Sequence, residues 1–529
     1  MLIASEKKHF RKMVRMSGGI KDNLCECDFD FSGLSTIDEA FIHVGVNSLI
    51  TSAPDIERIY LPGKGRMKLP EVLHKLGNVT FDGSFTGFVS DFVTYGKIGT
   101  EKGHLRTDLS VRPYQNNRFK IRGLIAGSGI DLGELTGRQE LLGKMSMETT
   151  IDGFASSLER IEGNLTGMID SIQINNYIYR NVSVNGLFTE KTWDGSISIS
   201  DRNIRMDLLG MFDFRKDLPE FDFTLNLAES NLHELNIDKS DSTSALSMLV
   251  TANFRGNNID NLFGEIKLLN STLRKYGNNL DLYNFSLKAF TDNNKPAISL
   301  KTDFVDADLR GYYNFGDLNN VFKSVLASLM PARFRVPDEG KGQIRNDFNF
   351  TVNFKNTDKI NNFFRTGLLI ADKSTIIGGV HPGDIIRLGV KSRSLTVRKN
   401  TFRDLTFDAG CYDGKLNAEL KSSGLSLLGE SDLKGFTSTI STVPDNFVFN
   451  LFWDNREKIK NKGNLRAIGY FRMTESQRPV LHINIDSSEV YTRNNLWKIR
   501  RSDIAVDSTS VDFNKIMVVN EKNFYLVGR

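Results

Sequence analysis

Apolar and polar side chains alternate along this chain with a period of two, in stretch after stretch. In FDFTLNLAES (221–230), Phe221, Phe223, Leu225 and Leu227 take every second position, with Asp222, Thr224 and Asn226 between them. The same stripe returns in GSISIS (195–200), NFSLKAF (284–290), FNFTVNF (348–354) and LHINID (481–486). A period of two sends successive side chains to opposite faces of a strand, so each stretch predicts a half-buried strand with one apolar face. Between the stripes stand TDNNKP and VRKNTFRD, which carry the residues of tight turns. Helical periodicity is scarce. It is found in PEVLHKLG (70–77) and in DLNNVFKSVLASLM (317–330), where Leu318, Val321, Val325 and Leu329 share one face. The polar side of the second is only weakly basic, which predicts a helix packed on a sheet face rather than on a membrane.

The pattern also repeats on a longer scale. TTIDGFASSLERIEGNLTGMIDS (149–171) aligns with ANFRGNNIDNLFGEIKLLNST (252–272), so that Ile151 meets Phe254, Gly153 meets Gly256 and Gly163 meets Gly264. YRNVSVNGLF (179–188) then falls on LYNFSLKAF (282–290), and fainter copies start at 81 and 348. Each copy reads as strand, glycine, a one-turn corner and strand again. Such units cannot bury an apolar face alone and must stack on their neighbours. The expected fold class is mostly β: an elongated, repetitive curled sheet, an open β-solenoid with an apolar groove and a few short helices. The expected segments are 1–78, 79–144, 145–245, 246–343 ending in the amphipathic helix, and 344–529.

Composition narrows the function. Sixty-eight Lys and Arg against 64 Asp and Glu leave a net charge of +4, so no bulk field gathers nucleic acid. Of the three cysteines, Cys25 and Cys27 stand two apart in a strand-like run and read as buried apolar residues; Cys411 is the third. The start, MLIASEKKHFRKMVRMSGG, lacks the apolar core of a signal peptide, and no run approaches the roughly 18 apolar residues of a membrane-spanning helix.

Reactive constellations are weak. The histidines, at 9, 43, 74, 104, 233, 381 and 482, show no metal-ligand spacing. GSGIDLG (127–133) has two glycines of a phosphate loop, but no following lysine and no clear helix. Asp306 and Asp308 share a strand face, which suits a pair of catalytic carboxylates less well than a solvated surface. Gly-x-Ser-x-Gly does not occur. No catalytic, metal or cofactor residue is expected, and the chain reads as a non-enzyme.

An apolar face this long must be hidden by its own chain, by another sheet or by an apolar ligand. Lipid tails would suit a groove, at about 0.8 kcal/mol for each buried methylene. The candidate lining residues are Val182, Val184 and Phe188; Ile197 and Ile199; Phe221, Phe223, Leu225 and Leu227; Phe285 and Leu287; and Phe348, Phe350, Val352 and Phe354.

The stretches at 69–111, IDLGELTG (130–137), 164–186, PEFDFTLNLAESNLHEL (219–235) and 483–507 together resemble the large envelope proteins of the AsmA and TamB type, in particular those of Bacteroidetes. The resemblance implies a long β-taco, anchored in the inner membrane by an N-terminal helix and crossing the periplasm. It would carry phospholipid between the two membranes for envelope biogenesis. It also implies a TamA-type outer-membrane barrel as partner of the full-length parent. No counterpart of the anchor is present and the chain stops in strand-like NFYLVGR, so the expectation is the middle of a longer protein. The alternatives are a scaffold for the assembly of secreted or barrel proteins, and a surface β-solenoid that adheres to or degrades polysaccharide.

Overall fold

The computed structural model describes residues 8–11, 14–16, 23–32, 41–58, 60–61, 65–66, 68–69, 71–88, 90–115, 118–157, 160–335, 346–383, 385–429, 431–474, 478–507, 509–514, 516–520 and 524–527. The architecture is mostly β, with a few short helices, as the alternation predicts. Contacts divide the chain into two units, Met1–Arg255 with Asn270–Asn279, and Gly256–Leu269 with Leu280–Arg529.

In the first unit Lys8–Arg11 and Val14–Met16 both pair with Asn23–Ser32, Tyr60–Leu61 and Gly65–Arg66 form a small hairpin of their own, and the other strands, as far as Ala245–Arg255, pair antiparallel in chain order. The meander runs from Phe41–Ser52 and Asn78–Gly87 through Leu142–Ser157, Arg160–Ile174, Tyr177–Thr189, Thr192–Ser200, Ile204–Asp213 and Glu220–Ser230 to Ala245–Arg255. Among the described residues no pairing joins its first strand to its last, so the sheet is open. Three one-turn helices, α1 (Ala53–Glu57), α2 (Glu71–His74) and α3 (Leu132–Thr136), occupy connections between strands.

The corner expected in each repeat is absent from the first copy. Leu142–Ser157 and Arg160–Ile174 form one long hairpin, with Gly153 opposite Gly163; the turn itself, at 158–159, lies outside the described residues. Of the apolar residues read as a corner, Ile161 belongs to the second strand and Leu158 lies outside the described residues; Gly153 and Gly163 let the two backbones approach closely, and a Cβ on Gly153 would lie 2.6 Å from the Gly163 Cα.

The second unit continues the same grammar. Asn278–Asp292 pairs with Lys295–Thr302, then follow Val305–Tyr312, Asp347–Phe354, Thr375–His381, Ile385–Val397, Asn400–Tyr412, Lys415–Leu427, Ser431–Val443, Asn446–Asp454 and Lys462–Met473. The ladder skips single pairs without a change of register at Asp404 (φ 47°), opposite Arg393, and at Gly435 (φ 57°), opposite Ser423, where Ser422 faces Phe436 and Gly424 faces Lys434. Buried hydroxyls satisfy the freed backbone groups: Ser392 donates to the Ser394 carbonyl (2.8 Å), and Ser422 to those of Gly424 (2.8 Å) and Arg403 (2.6 Å).

The longest helix, α4 (Leu318–Leu329), crosses the apolar face of this sheet near one end of the strands. Its stripe is the predicted one. Leu318 and Val321 pack on the cluster of Tyr313, Phe348 and Val380, and Val325 and Leu329 pack on Cys411 with Ile386 and Leu416. Those sheet residues lie on five neighbouring strands, about 19 Å across at 4.8 Å per strand, and twelve helical residues span about 18 Å. Both ends are tied. The Phe315 amide donates to Asp260 (2.7 Å), the Asp445 amide donates to the Leu329 carbonyl (2.9 Å), and the Ala332 amide donates to the Asp445 carboxylate (3.0 Å). A shorter helix, α5 (Asp358–Phe364), lies in the connection at the opposite end of the strands.

Candidate functional site: an apolar sheet face

The register turns the stripes into rows. In the first unit Leu225 lies between Val250 and Leu208, and the row continues through Ile197 and Val184 to Gly167. Leu227 belongs to the next row, with Met248, Met206, Ile199, Val182 and Ile169. On the other side Phe223 faces Ala252 and Gly210, and beyond it Phe221 stands between Phe254 and Phe212, followed by Trp193 and Phe188. All nine candidates of this unit therefore fall in four adjacent rows of one face. Val182 and Leu227 are buried, and the other seven are half-buried. The opposite positions Asp222, Thr224 and Asn226 are exposed. Phe212, Phe221, Phe223 and Phe254 form an aromatic end to the face, with Phe221 and Phe254 stacked at 4.8 Å.

In the second unit Leu287 begins a comparable row, Leu300, Ala307, Val352, Ile376, Val390, Phe407 and Leu420. Phe350 lies in the neighbouring row, and Phe285 and Phe354 lie nearer the strand ends opposite α4. Phe348 is different. It is 4% exposed and sealed beneath α4, so it is core rather than lining, and Leu287 and Phe350 pack against the same cluster.

Aromatic rings and glycines meet across the strands of this face. Several glycines face it because an aromatic ring from a neighbouring strand lies on them. A Cβ on Gly469 would stand 1.9 Å from Phe447 Cζ, one on Gly463 2.3 Å from Trp453 Cη2, one on Gly186 2.5 Å from Trp193 Cζ2, and one on Gly378 2.5 Å from Phe350 Cζ. Composition showed many glycines and phenylalanines; the register that pairs them was not visible.

The acidic pair singled out in the sequence lies on the other face. Asp306 and Asp308 do share that face, but as ion-paired surface groups: Lys355 Nζ is 2.7 Å from Asp306 and Lys301 Nζ is 3.2 Å from Asp308. Burial works against the Asp308 carboxylate, yet bonds from Ser299 and Lys301 outweigh it and hold its pKa below the ordinary value. GSGIDLG ends a strand and opens α3, so a helix does follow it. That helix is one turn long, and Asp131 caps it by accepting from the Glu134 amide (3.0 Å), which places a carboxylate where a phosphate would sit. His381 pairs with Asp347 (2.8 Å), and no cluster of three metal-ligating side chains occurs among the described residues. The side chains of Cys25 and Cys27 lie outside the described residues; Cys411 is buried under α4. No described helix is long and apolar enough to cross a membrane.

A hollow of about 950 Å³ opens on the polar face of the second unit, floored by Gly379, Gly389 and Gly410 and flanked by Arg387, Lys391 and Asp408. It arises where three glycines on adjacent strands leave a gap in the layer of side chains. Again the alignment of glycines across strands, and not any one stretch, creates it.

The fold and its faces thus define an open antiparallel sheet with one apolar and one polar surface in each unit. Comparison with protein-family models, curated proteins and solved structures finds no match.

Proposed function

We propose that the apolar face binds phospholipid acyl chains, and that the chain is a non-enzymatic segment of a periplasmic bridge of the AsmA and TamB type. In that reading lipid moves along the groove between inner and outer membrane. The parent protein is held in the inner membrane by an N-terminal helix and meets a TamA-type barrel at the outer membrane. The observation that supports it is the run of apolar rows across neighbouring strands in which most side chains stay half-buried, among them Val184, Ile197 and Leu225. A closed core of this size would bury them. A half-covered apolar surface gains by taking up methylene chains, and no bond needs to be made or broken.

The test is a photo-crosslinking residue at Leu225, in the chain exported to a bacterial periplasm behind a signal peptide, with adducts identified by mass spectrometry. Phospholipid adducts are expected. Adducts only within the chain would mean that the rows close on themselves, and the reading would fail.

A further inference from the structure

We propose that one rim of the second unit, the end of the strands opposite α4, is a docking surface for a bilayer carrying anionic headgroups. The proposal does not need the groove to carry lipid.

The rim is built from α5 and the turns around 366–373, 398–399, 428–429, 455–461 and 493–494. These segments are tied to one another in sequence along the edge. The Arg398 amide donates to the Gly367 carbonyl (2.6 Å), the Leu428 amide to Asn400 Oδ1 (3.0 Å), Asn461 Nδ2 to the Asp432 carbonyl (3.2 Å), and the Lys460 amide to Asn494 Oδ1 (2.6 Å). The surface is continuous.

Its turns break a rule that the rest of the unit keeps. Nine described residues here hold a left-handed backbone; Gly367, Gly429 and Asn494 are types that tolerate it, but six are not: Arg365 (φ 50°), Lys373 (60°), Arg398 (58°), Leu428 (54°), Arg456 (53°) and Arg493 (47°). A side chain with a Cβ is strained in that conformation, and glycine, asparagine or aspartate relieves it. At the opposite rim the left-handed residues are Asn293, Asn294, Gly383, Asp413, Gly414 and Asp445, the types that relieve it. Strain kept at one rim and avoided at the other points to a use for those side chains.

The side chains are cationic or apolar, and all are exposed. Between them stand Lys399 and Lys458, also exposed, with Phe364 and Ile459, whose exposures are 54% and 59%; Leu428 reaches 66%. None of the cations just named pairs with a carboxylate among the described residues. Three acids on this rim are already taken, Asp372 by Arg393, Asp432 by Arg403 and Glu457 by Lys434, while Asp358 on α5 is exposed and has no ion pair among the described residues, against seven cations without one. In a chain whose net charge is only +4, this is a local excess of free positive charge studded with apolar tips. Cations draw such an edge to anionic headgroups, and leucine, isoleucine and phenylalanine at turn tips enter the acyl boundary. A single-stranded nucleic acid would call for several stacking rings, and of these apolar tips only Phe364 is aromatic.

The full chain is sedimented with vesicles of phosphatidylcholine alone, and of phosphatidylcholine mixed with phosphatidylglycerol. Binding to the anionic vesicles is expected, weakening as salt is raised. The variant R398N/L428N/R456N removes two cations and one apolar tip while relieving backbone strain. Its thermal midpoint is expected to hold or rise, while partitioning falls by roughly fivefold for each cation lost and further for the tip. K399Q/K458Q tests charge without touching a left-handed position and is expected to fall by the same factor per cation. K295Q/K415Q, at the opposite rim, is expected to bind as the parent does. Equal binding to neutral vesicles, no binding, unchanged binding of both rim variants, or tighter binding to a single-stranded RNA oligonucleotide would each overturn the proposal.

Discussion

The seating of aromatic rings on cross-strand glycines makes a sharp prediction at Gly469. Phe447 and Gly469 are direct partners on Asn446–Asp454 and Lys462–Met473. A methyl group at Gly469 would lie 1.9, 2.3 and 2.5 Å from three atoms of the Phe447 ring, and no backbone atom is among its nearest neighbours. The collision is therefore with a ring that can move only by giving up its seat. Overpacking of this kind costs about 1–3 kcal/mol. At 1.4 kcal/mol per factor of ten this makes amide exchange in the hairpin roughly 5- to 150-fold faster in Gly469→Ala. Hydrogen exchange followed by mass spectrometry reads it locally, which suits a chain of stacked strands whose unfolding need not be two-state. Adding Phe447→Leu shortens the ring to a side chain that can share the space, so the double variant is expected to recover protection, with a coupling of about 0.5–3 kcal/mol. Gly378 is the control. Its added methyl would meet Phe350 Cζ at 2.5 Å but also the Arg387 carbonyl oxygen at 2.8 Å, and shortening Phe350 cannot move a backbone oxygen. If Gly469→Ala exchanges like the parent, or if the double variant is as fast as the two single changes combined, the ring-on-glycine account is wrong.

Further outcomes follow from the same geometry. Leu225→Asp or Leu287→Asp is expected to abolish co-purifying phospholipid while the strand signal in circular dichroism stays; retained lipid at the parental level would count against the groove. Val325→Asp places a carboxylate between α4 and Cys411 and is expected to free the helix, seen as proteolytic cleavage within 318–335 that the parent resists. Asp308→Asn removes an exposed ion pair and is expected to cost less than about 1 kcal/mol in urea unfolding. Asp213 is held at a pKa of about 2 by bonds from the Arg215 side chain and then from the Arg215 amide. Its folded-state pKa lies below the ordinary value, so its contribution is present above the ordinary carboxylate range and is lost as pH falls toward 2. Arg215→Gln is expected to raise the Asp213 pKa in a carbon-detected titration, and an unmoved pKa would refute the assignment.

What the sequence made legible, and what it hid, follows from the range over which each interaction acts. Phe221, Phe223, Leu225 and Leu227 could be placed on one face because a strand's period is fixed by its own backbone. Leu318, Val321, Val325 and Leu329 could be placed on one side of α4 for the same reason. The turn at Asn293–Asn294 was legible because asparagine tolerates the left-handed conformation within its own residue. Every missed feature depends on which residue of one strand meets which residue of another. The hairpin of Leu142–Ser157 and Arg160–Ile174 was mistaken for a corner because apolar residues three and four apart can belong to one helix or to two strands. The glycines under Phe447 and Trp453, and the gap floored by Gly379, Gly389 and Gly410, exist only once the register is set. The rim turns sharpen the same point. Arg398, Leu428 and Arg456 look in the sequence like ordinary surface residues. Only the backbone shows that each occupies a place where asparagine or glycine would fit with less strain. A residue type that contradicts its own backbone, repeated along one edge and absent from the other, cannot be explained by local preference, so its explanation has to be sought in what that edge meets.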